Sequence, residues 1–320
     1  MPAPTTVLIT GAAGFIGQRV LRTLLMRAPA IKIVATDIRP LPAELAAQLQ
    51  FLSLDVRAAE LREVMARLQV QSVIHLAAVV NPPPDMSRAL LHAIEVEGTR
   101  NLLEACVAAG VGQVIVTSSG AAYGYHADNP LPLTEDCALR GNPEFAYADH
   151  KRQAEELLAA YRRRHPRLKQ LIFRPGTVLG VGVNNPISAL FERRIIVGIS
   201  GADSPFVIIR DEDVADCIVQ GVLKEAEGIY NLAGDGAISL REIAALLRKP
   251  YLPLPAGLLG AALALLKPLG LSAYGPEQVR FLRYRPVLAN DKLKREFGYT
   301  PRKSSRDCFI EYARSRGLLS

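Results

Sequence analysis

Short apolar runs alternate with longer amphipathic segments along the chain, and the alternation predicts its elements. Val7-Leu8-Ile9 precedes a segment of helical spacing from Gln18 to Met26, and Ile31 to Thr36 follows as a second buried strand. Phe51-Leu52-Ser53-Leu54 predicts a third strand. Leu61, Val64, Met65 and Leu68 then fall on one face of a helix over Ala58 to Leu68. Ser72 to Ala78 reads as a fourth strand, Met86 to Ala109 as a long helix stopped by Gly110, and Gln113 to Thr117 as a fifth strand. Five such cycles imply a parallel sheet with helices on both faces, in which ligands bind at the carboxyl ends of the strands.

After a sixth strand, Leu171-Ile172-Phe173-Arg174, the pattern loosens into shorter pieces punctuated by glycine. They comprise a helix to about Arg194, an extended stretch Phe206 to Ile209, a helix opened by Asp211-Glu212-Asp213 and a strand Gly228 to Leu232. A helix from Ser239 to Arg248 follows, with Ser239 and Glu242 spaced as a capping box. Gly257 to Leu266 is apolar on all sides and too short and broken to cross a bilayer, which predicts a buried or lid helix, with contact at a membrane surface as the alternative. The expected fold class is α/β: a Rossmann-type doubly wound parallel sheet over about residues 1–175, with a smaller C-terminal α/β substrate lobe over 176–320.

Composition adds mainly exclusions. With 320 residues, 49% of them apolar, the chain can bury a substantial core. The net charge of +7 is scattered apart from Arg162-Arg163-Arg164-His165 at a helix end, and no aromatic residues interleave with it, so no nucleic-acid partner is expected. Cys106, Cys137, Cys217 and Cys308 lie too far apart for a zinc site or a disulfide framework, and they read as buried small apolar residues. Met1 to Thr6 begins neither a secretory signal nor a membrane span, so a cytoplasmic location is expected.

The chemistry concentrates at strand ends. Thr10-Gly11-Ala12-Ala13-Gly14-Phe15-Ile16-Gly17 links the first strand to the first helix. Gly11 would allow the tight turn, Gly14 the approach of a pyrophosphate and Gly17 the packing of helix on sheet. Asp37 ends the second strand where a carboxylate would accept bonds from ribose hydroxyls and repel a 2′-phosphate, favouring NAD over NADP, although Arg39 beside it could hold that phosphate. Ser118-Ser119 presents hydroxyls at the end of the fifth strand. Tyr147 and Lys151, four apart, share a helix face. For Tyr147 to act as a base near neutral pH its pKa must fall by roughly 3, about 4 kcal/mol of preference for phenolate, and a nearby lysine pushes that way. His75, in an apolar run, reads as a satisfied core histidine.

Taken in order, these motifs resemble the extended short-chain dehydrogenase/reductase family in its NAD-dependent epimerase/dehydratase branch. The resemblance also draws on Asp55-Val56, His75-Leu76-Ala77-Ala78, Tyr123-Gly124, Arg174-Pro175-Gly176 and Val178-Leu179-Gly180. It implies NAD contacts at Gly11, Gly14, Phe15, Ile16, Gly17, Asp37, Asp55, Val56, Leu76, Ala77, Ala78, Tyr147 and Lys151. It further implies that Tyr147 is the general acid/base, that Lys151 holds the nicotinamide ribose and tunes Tyr147, and that Ser119 bonds the substrate oxygen. Tyr123, Thr177 and Arg210 are the implied substrate contacts, with a surface salt bridge to Asp211 or Asp213 as the alternative for Arg210. No metal is implied. A homodimer through the helices near Met86 to Ala109 and Tyr147 to His165 is, and so is a return of the second half to the main sheet.

Two positions depart from the pattern of the sugar-nucleotide epimerases. Glu95 stands where many carry an Asn, and Thr177 where an Asn helps hold the substrate diphosphate. The first expectation is an epimerase or dehydratase of a sugar nucleotide. Its rivals are a dehydrogenase or reductase of a hydrophobic, steroid-like alcohol or ketone, and a non-catalytic NAD-binding protein.

Overall fold

Every residue of the first strand, β1 (Thr6–Thr10), is buried, as a strand inside a doubly covered parallel sheet requires. The structure, a computed structural model, describes residues 4–83, 85–269 and 275–319. After β1 come α1 (Phe15–Arg27), β2 (Lys32–Asp37), α2 (Ala43–Ala46), β3 (Gln50–Ser53), α3 (Leu61–Arg67) and β4 (Ser72–His75). Then follow α4 (Arg88–His92), α5 (Gly98–Ala109), β5 (Gln113–Thr117), α6 (Ala146–Arg164) and β6 (Lys169–Pro175). The second half continues with β7 (Thr177–Leu179), α7 (Pro186–Glu192), β8 (Ile196–Ile199), β9 (Pro205–Phe206), β10 (Ile208–Arg210), α8 (Asp211–Leu223) and β11 (Gly228–Leu232). It closes with β12 (Ile238–Ser239), α9 (Leu240–Leu246), β13 (Tyr251–Leu254), α10 (Ala256–Leu266), α11 (Glu277–Arg283) and α12 (Ser305–Ser315).

The main sheet has seven strands in the order β11-β6-β5-β4-β1-β2-β3, all pairs parallel. Alternate residues of β1 serve the two faces. Val7 and Ile9 pack with α1 and α8, while Leu8 packs with residues of α3 and α5. The second half thus returns to the sheet with α8 and β11. Strand order reverses between β1 and β4, and the crevice above that switch is where a doubly wound sheet binds its ligand. A separate core around Phe191, Phe206, Phe309 and Tyr312 holds the C-terminal lobe together.

Three expectations change. The long helix over Met86 to Ala109 is two α-helical pieces joined by a π-helical turn, Ala93–Glu97, which carries Glu95; Gly110 ends it in the left-handed conformation (φ 70°). The fourth strand stops at His75, since past the bond from Leu76 N–H to Thr10 C=O (3.1 Å) the chain leaves the sheet. The apolar helix α10 buries none of its residues. Elsewhere the local chemistry is as read: Ser239 and Glu242 form the capping box. Cys106, Cys217 and Cys308 are buried, and Cys137 is half-buried. Among the described residues, no helix is long and apolar enough to cross a membrane and no side-chain cluster could hold a metal ion.

Candidate active site

Gly11 turns the chain off β1 with φ +68°, and a Cβ there would lie 2.5 Å from the Ala77 nitrogen, so the crossing at the switch point closes only with glycine. A Cβ on Gly17 would collide with the carbonyls of Gly11 and Ala12. The first i→i−4 bond of α1 runs from Gln18 N–H to Gly14 C=O (3.0 Å), and no side chain caps the helix. The N–H groups of Phe15, Ile16 and Gly17 therefore face the crevice without a partner in the helix, at its positive end. Asp37 is buried at the rim of the turn. One carboxylate oxygen accepts from Ala13 N–H (2.9 Å) and the other from Arg39 N–H (2.9 Å), which fixes the group and leaves lone pairs over. The Arg39 guanidinium, 64% exposed, makes a long 3.4 Å contact with the same carboxylate. Asp55 is clasped by the Arg57 side chain (2.7 and 2.9 Å), which lowers its pKa, and Val56 is buried where a Cβ on Gly98 would strike it.

At the carboxyl end of β5, Ser119 leads into a 3₁₀ turn and its hydroxyl accepts from Ala121 N–H (3.1 Å). Tyr147 and Lys151, one turn apart on α6, meet as expected: the Lys151 ammonium lies 5.7 Å from the centre of the Tyr147 ring. It donates to the Thr117 carbonyl (3.3 Å). An ammonium has three donors, so further bonds are on offer to hydroxyls brought alongside. The Tyr147 phenol carries a raised pKa in the protein alone. Burial pushes its pKa up to about 12, the Ser119 hydroxyl pulls the other way, and the Glu95 carboxylate adds to the rise. Lys151 is itself pushed down by burial, against Glu95 and Glu155. In the protein alone, Tyr147 at neutral pH is a proton donor.

These features suit a dinucleotide. Uncapped N–H groups face the place for its pyrophosphate, Asp37 has acceptors left for one ribose and Lys151 has donors left for the other.

Two buried histidines lie beneath. The Thr99 hydroxyl donates to the Glu95 carbonyl (2.6 Å), so at its 3.0 Å contact with His75 it accepts from Nε2; His75 Nδ1 then accepts from the Thr10 hydroxyl (2.8 Å). His75 is a satisfied, neutral core histidine whose pKa burial lowers to about 3. Glu95 does not face the glycine turn. One of its oxygens accepts from Val79 N–H (3.2 Å) and the other meets His150 Nδ1 (2.8 Å), with both side chains buried next to Lys151. Its charge therefore acts on Tyr147 and Lys151. The π turn that aims it inward left no mark that helical spacing could reveal.

Of the expected substrate contacts, Tyr123 is displaced by the structure. It is fully buried, and its hydroxyl donates within 2.9 Å of Asn231 Oδ1 and 3.0 Å of the Thr134 carbonyl while accepting from Arg174 Nη1 (2.8 Å). Arg174 grips Glu155 at 2.7–3.0 Å, and Glu155 also accepts from Ser118 (2.5 Å). This network ties β5, α6, β6 and β11 together below the site. Arg210 takes the surface pairing, but with Glu212 (2.8 Å) and Glu311 (3.1 Å), not Asp211 or Asp213.

The cation facing Thr177 is instead Arg285, which sequence reasoning missed. Its Nη2 donates to the Thr177 hydroxyl (3.1 Å), and its guanidinium lies 3.8 Å from the centre of the Phe206 ring and 4.5 Å from that of Phe281. Nε and Nη1 are sealed from solvent and bond to nothing among the described residues. Burial lowers its pKa to about 10, so it stays a cation at neutral pH. Tyr125 feels both Arg285 and Tyr147 and packs edge-on against Phe145 and Phe281, which links the cation to the proton-transfer group.

Comparison with known proteins gives a consistent picture. Uncharacterized protein Rv0501 of Mycobacterium tuberculosis is 25% identical over 98% of this chain and 85% of its own length. The UDP-glucose 4-epimerase of Erwinia amylovora is 29% identical over 53% of this chain and 52% of its own. The structure of MoeE5 in complex with UDP-glucose and NAD superimposes with a TM-score of 0.74 at 24% identity, covering 98% of both chains. The family description "NAD dependent epimerase/dehydratase family" matches residues 7–233, a span that holds the glycine turn, Asp37, Ser119, Tyr147 and Lys151. With its seven-stranded sheet and a match over residues 7–233, this chain belongs to that family of NAD-dependent enzymes.

Proposed function

We propose that the protein is an epimerase or dehydratase of a sugar nucleotide, with Ser119, Tyr147 and Lys151 as its catalytic residues and Arg285 and Thr177 holding the substrate diphosphate. The observation that carries this reading is a half-buried cation beside Thr177 with two nitrogens that bond to nothing among the described residues, lying against Phe206 and against Phe281, which packs in one cluster with Tyr125 and Tyr147. A guanidinium in that state suits a phosphate oxygen. The UDP-sugar enzyme from Erwinia amylovora and the UDP-glucose complex of MoeE5 support the substrate class.

NAD, when bound, supplies the site that takes up and returns a hydride. The rest falls to side chains. The Ser119 hydroxyl bonds the substrate oxygen and orients it toward Tyr147. The phenol moves the proton on that oxygen, and Lys151 favours phenolate when the step requires it. Phe15, Ile16, Gly17 and Asp37 bind the cofactor from the crevice side. The neighbouring Asp55 and Val56, and Leu76, Ala77 and Ala78 past β4, complete that wall. We also propose residues 1–175 and 176–320 as the two functional lobes and a homodimer through α4, α5 and α6, which light scattering would test.

Incubation with uridine- and thymidine-diphosphate sugars, followed by product chromatography and cofactor absorbance, should give a new sugar nucleotide with no lasting NADH signal. The aromatic group of Tyr125, Phe145 and Phe281 favours a second reading, oxidation of a hydrophobic alcohol. Steady NADH formation from such an alcohol, with no sugar product, would replace the first reading by the second.

A further inference from the structure

From Leu252 to Leu266 the chain contains only leucine, alanine, glycine and proline. Within this stretch no residue of α10 is buried, and Leu258 and Leu265 are 61% and 70% exposed. The helix leans on its own lobe through Gly260, which lies against Val279 of α11, and through Leu259. A helix apolar on every side is stable where every side is covered. A folded partner or a second copy covers one face; the acyl region of a bilayer covers all that α11 leaves open. At about 1.5 Å per residue α10 is roughly half as long as the hydrocarbon core is thick, so it fits within the interface rather than across it.

Further apolar residues of the same lobe are exposed. Leu252 of β13 is exposed, as is Ile195 just ahead of β8, the strand paired with β13. Exposed cations precede these residues in the chain: Arg193 and Arg194 before Ile195, and Arg248 before β13. Of the acids near these residues in the chain, Glu192 pairs with Arg316 (2.6 Å), Glu277 pairs with Lys267 (3.0 Å) and Glu242 caps α9, while Asp203 is exposed. We propose that α10, with Ile195 and Leu252, docks the protein on a lipid surface carrying anionic headgroups, the arginines meeting the headgroups and the leucines entering the acyl boundary. The proposal stands apart from the substrate reading.

Flotation of the purified full chain tests it, with vesicles of phosphatidylcholine alone and of phosphatidylcholine with phosphatidylglycerol. The chain should float with the anionic vesicles, and binding should fall several-fold at high salt. The double variant Leu258→Asp/Leu265→Asp should lower the bound fraction by about tenfold or more, and Arg193→Ser/Arg194→Ser by several-fold. Since these positions are exposed, both variants should keep the parent's melting temperature and NAD affinity. A chain that stays behind with anionic vesicles, or a leucine double variant that floats as well as the parent, overturns the proposal. So does a double variant that turns a dimer into a monomer by light scattering while flotation is unchanged, which assigns the face to a second copy.

Discussion

Arg174 and Arg285 are both arginines withdrawn from water, one below the sheet's carboxyl edge and one in the C-terminal lobe. Burial opposes the charge of each. For Arg174 the bonds to Glu155 outweigh burial and its pKa is raised, whereas for Arg285 burial prevails. Arg174 spends its donors on Glu155, the Tyr123 hydroxyl and the Glu135 carbonyl (3.0 Å). Arg285 spends one on Thr177 and keeps two buried nitrogens without a partner among the described residues. A buried charge whose bonds are complete fixes elements in place. One whose bonds are incomplete calls for a partner that completes them.

The largest expected effect lies at the residue that both regions serve. Tyr147→Phe removes only the hydroxyl, so turnover should fall by about 10²–10⁴-fold while NAD affinity stays near the parent's. Retained turnover in a steady-state assay would detach the phenol from the chemistry.

The two arginines should then part company. Arg174→Met leaves Glu155 buried without its partner and should cost about 3–5 kcal/mol in chemical denaturation. Arg285→Met strands no carboxylate, so the fold should hold or gain stability. Its cost should appear as a KM for the sugar nucleotide raised by about 10–100-fold, the worth of roughly 1.5–3 kcal/mol for bonds from a charged donor. Equal destabilisation by the two substitutions would erase the distinction.

His75 sharpens the comparison from a third side, being a buried ionisable group that simply stays neutral. Its folded pKa of about 3 lies below the ordinary histidine value of 6.5. Between those limits the unfolded chain binds the extra proton, so stability falls as pH falls, by about 1.4 kcal/mol per pH unit from this group. Urea midpoints followed from pH 7 to 4 should show that slope, and His75→Gln should flatten it relative to the parent. The smallest effect concerns Asp37, which like Arg285 keeps bonding capacity in reserve. Titrations should show NAD bound several-fold more tightly than NADP, and Asp37→Ala should narrow the gap; equal affinities in the parent would contradict the assignment.

What could be read in advance follows the range of the interactions involved. The glycine turn, the helix spacing of Tyr147 and Lys151 and the capping box at Ser239 are written in residues a few places apart, and all are present in the structure. The return of β11 beside β6 follows the family's pattern and not any local spacing. Thr177 and Arg285 are distant in sequence and meet only because the lobe folds back, and no periodicity in Arg280 to Arg285 marks one arginine among three for burial. The resemblance implies a substrate contact for Tyr123, but the 3₁₀ turn Gly120–Tyr123 points its hydroxyl at Asn231. The inward aim of Glu95 likewise depends on a π turn inside a helix whose apolar spacing looks continuous.

The central claim is that Arg285, two of whose nitrogens bond to nothing among the described residues, receives the diphosphate of a sugar nucleotide. Calorimetric titration of UDP into the NAD-saturated protein, parent against Arg285→Met, tests it with no turnover required. The account predicts UDP binding in the parent, weakened by about tenfold or more in the variant with NAD affinity unchanged. UDP bound equally by both proteins, or by neither, would contradict it.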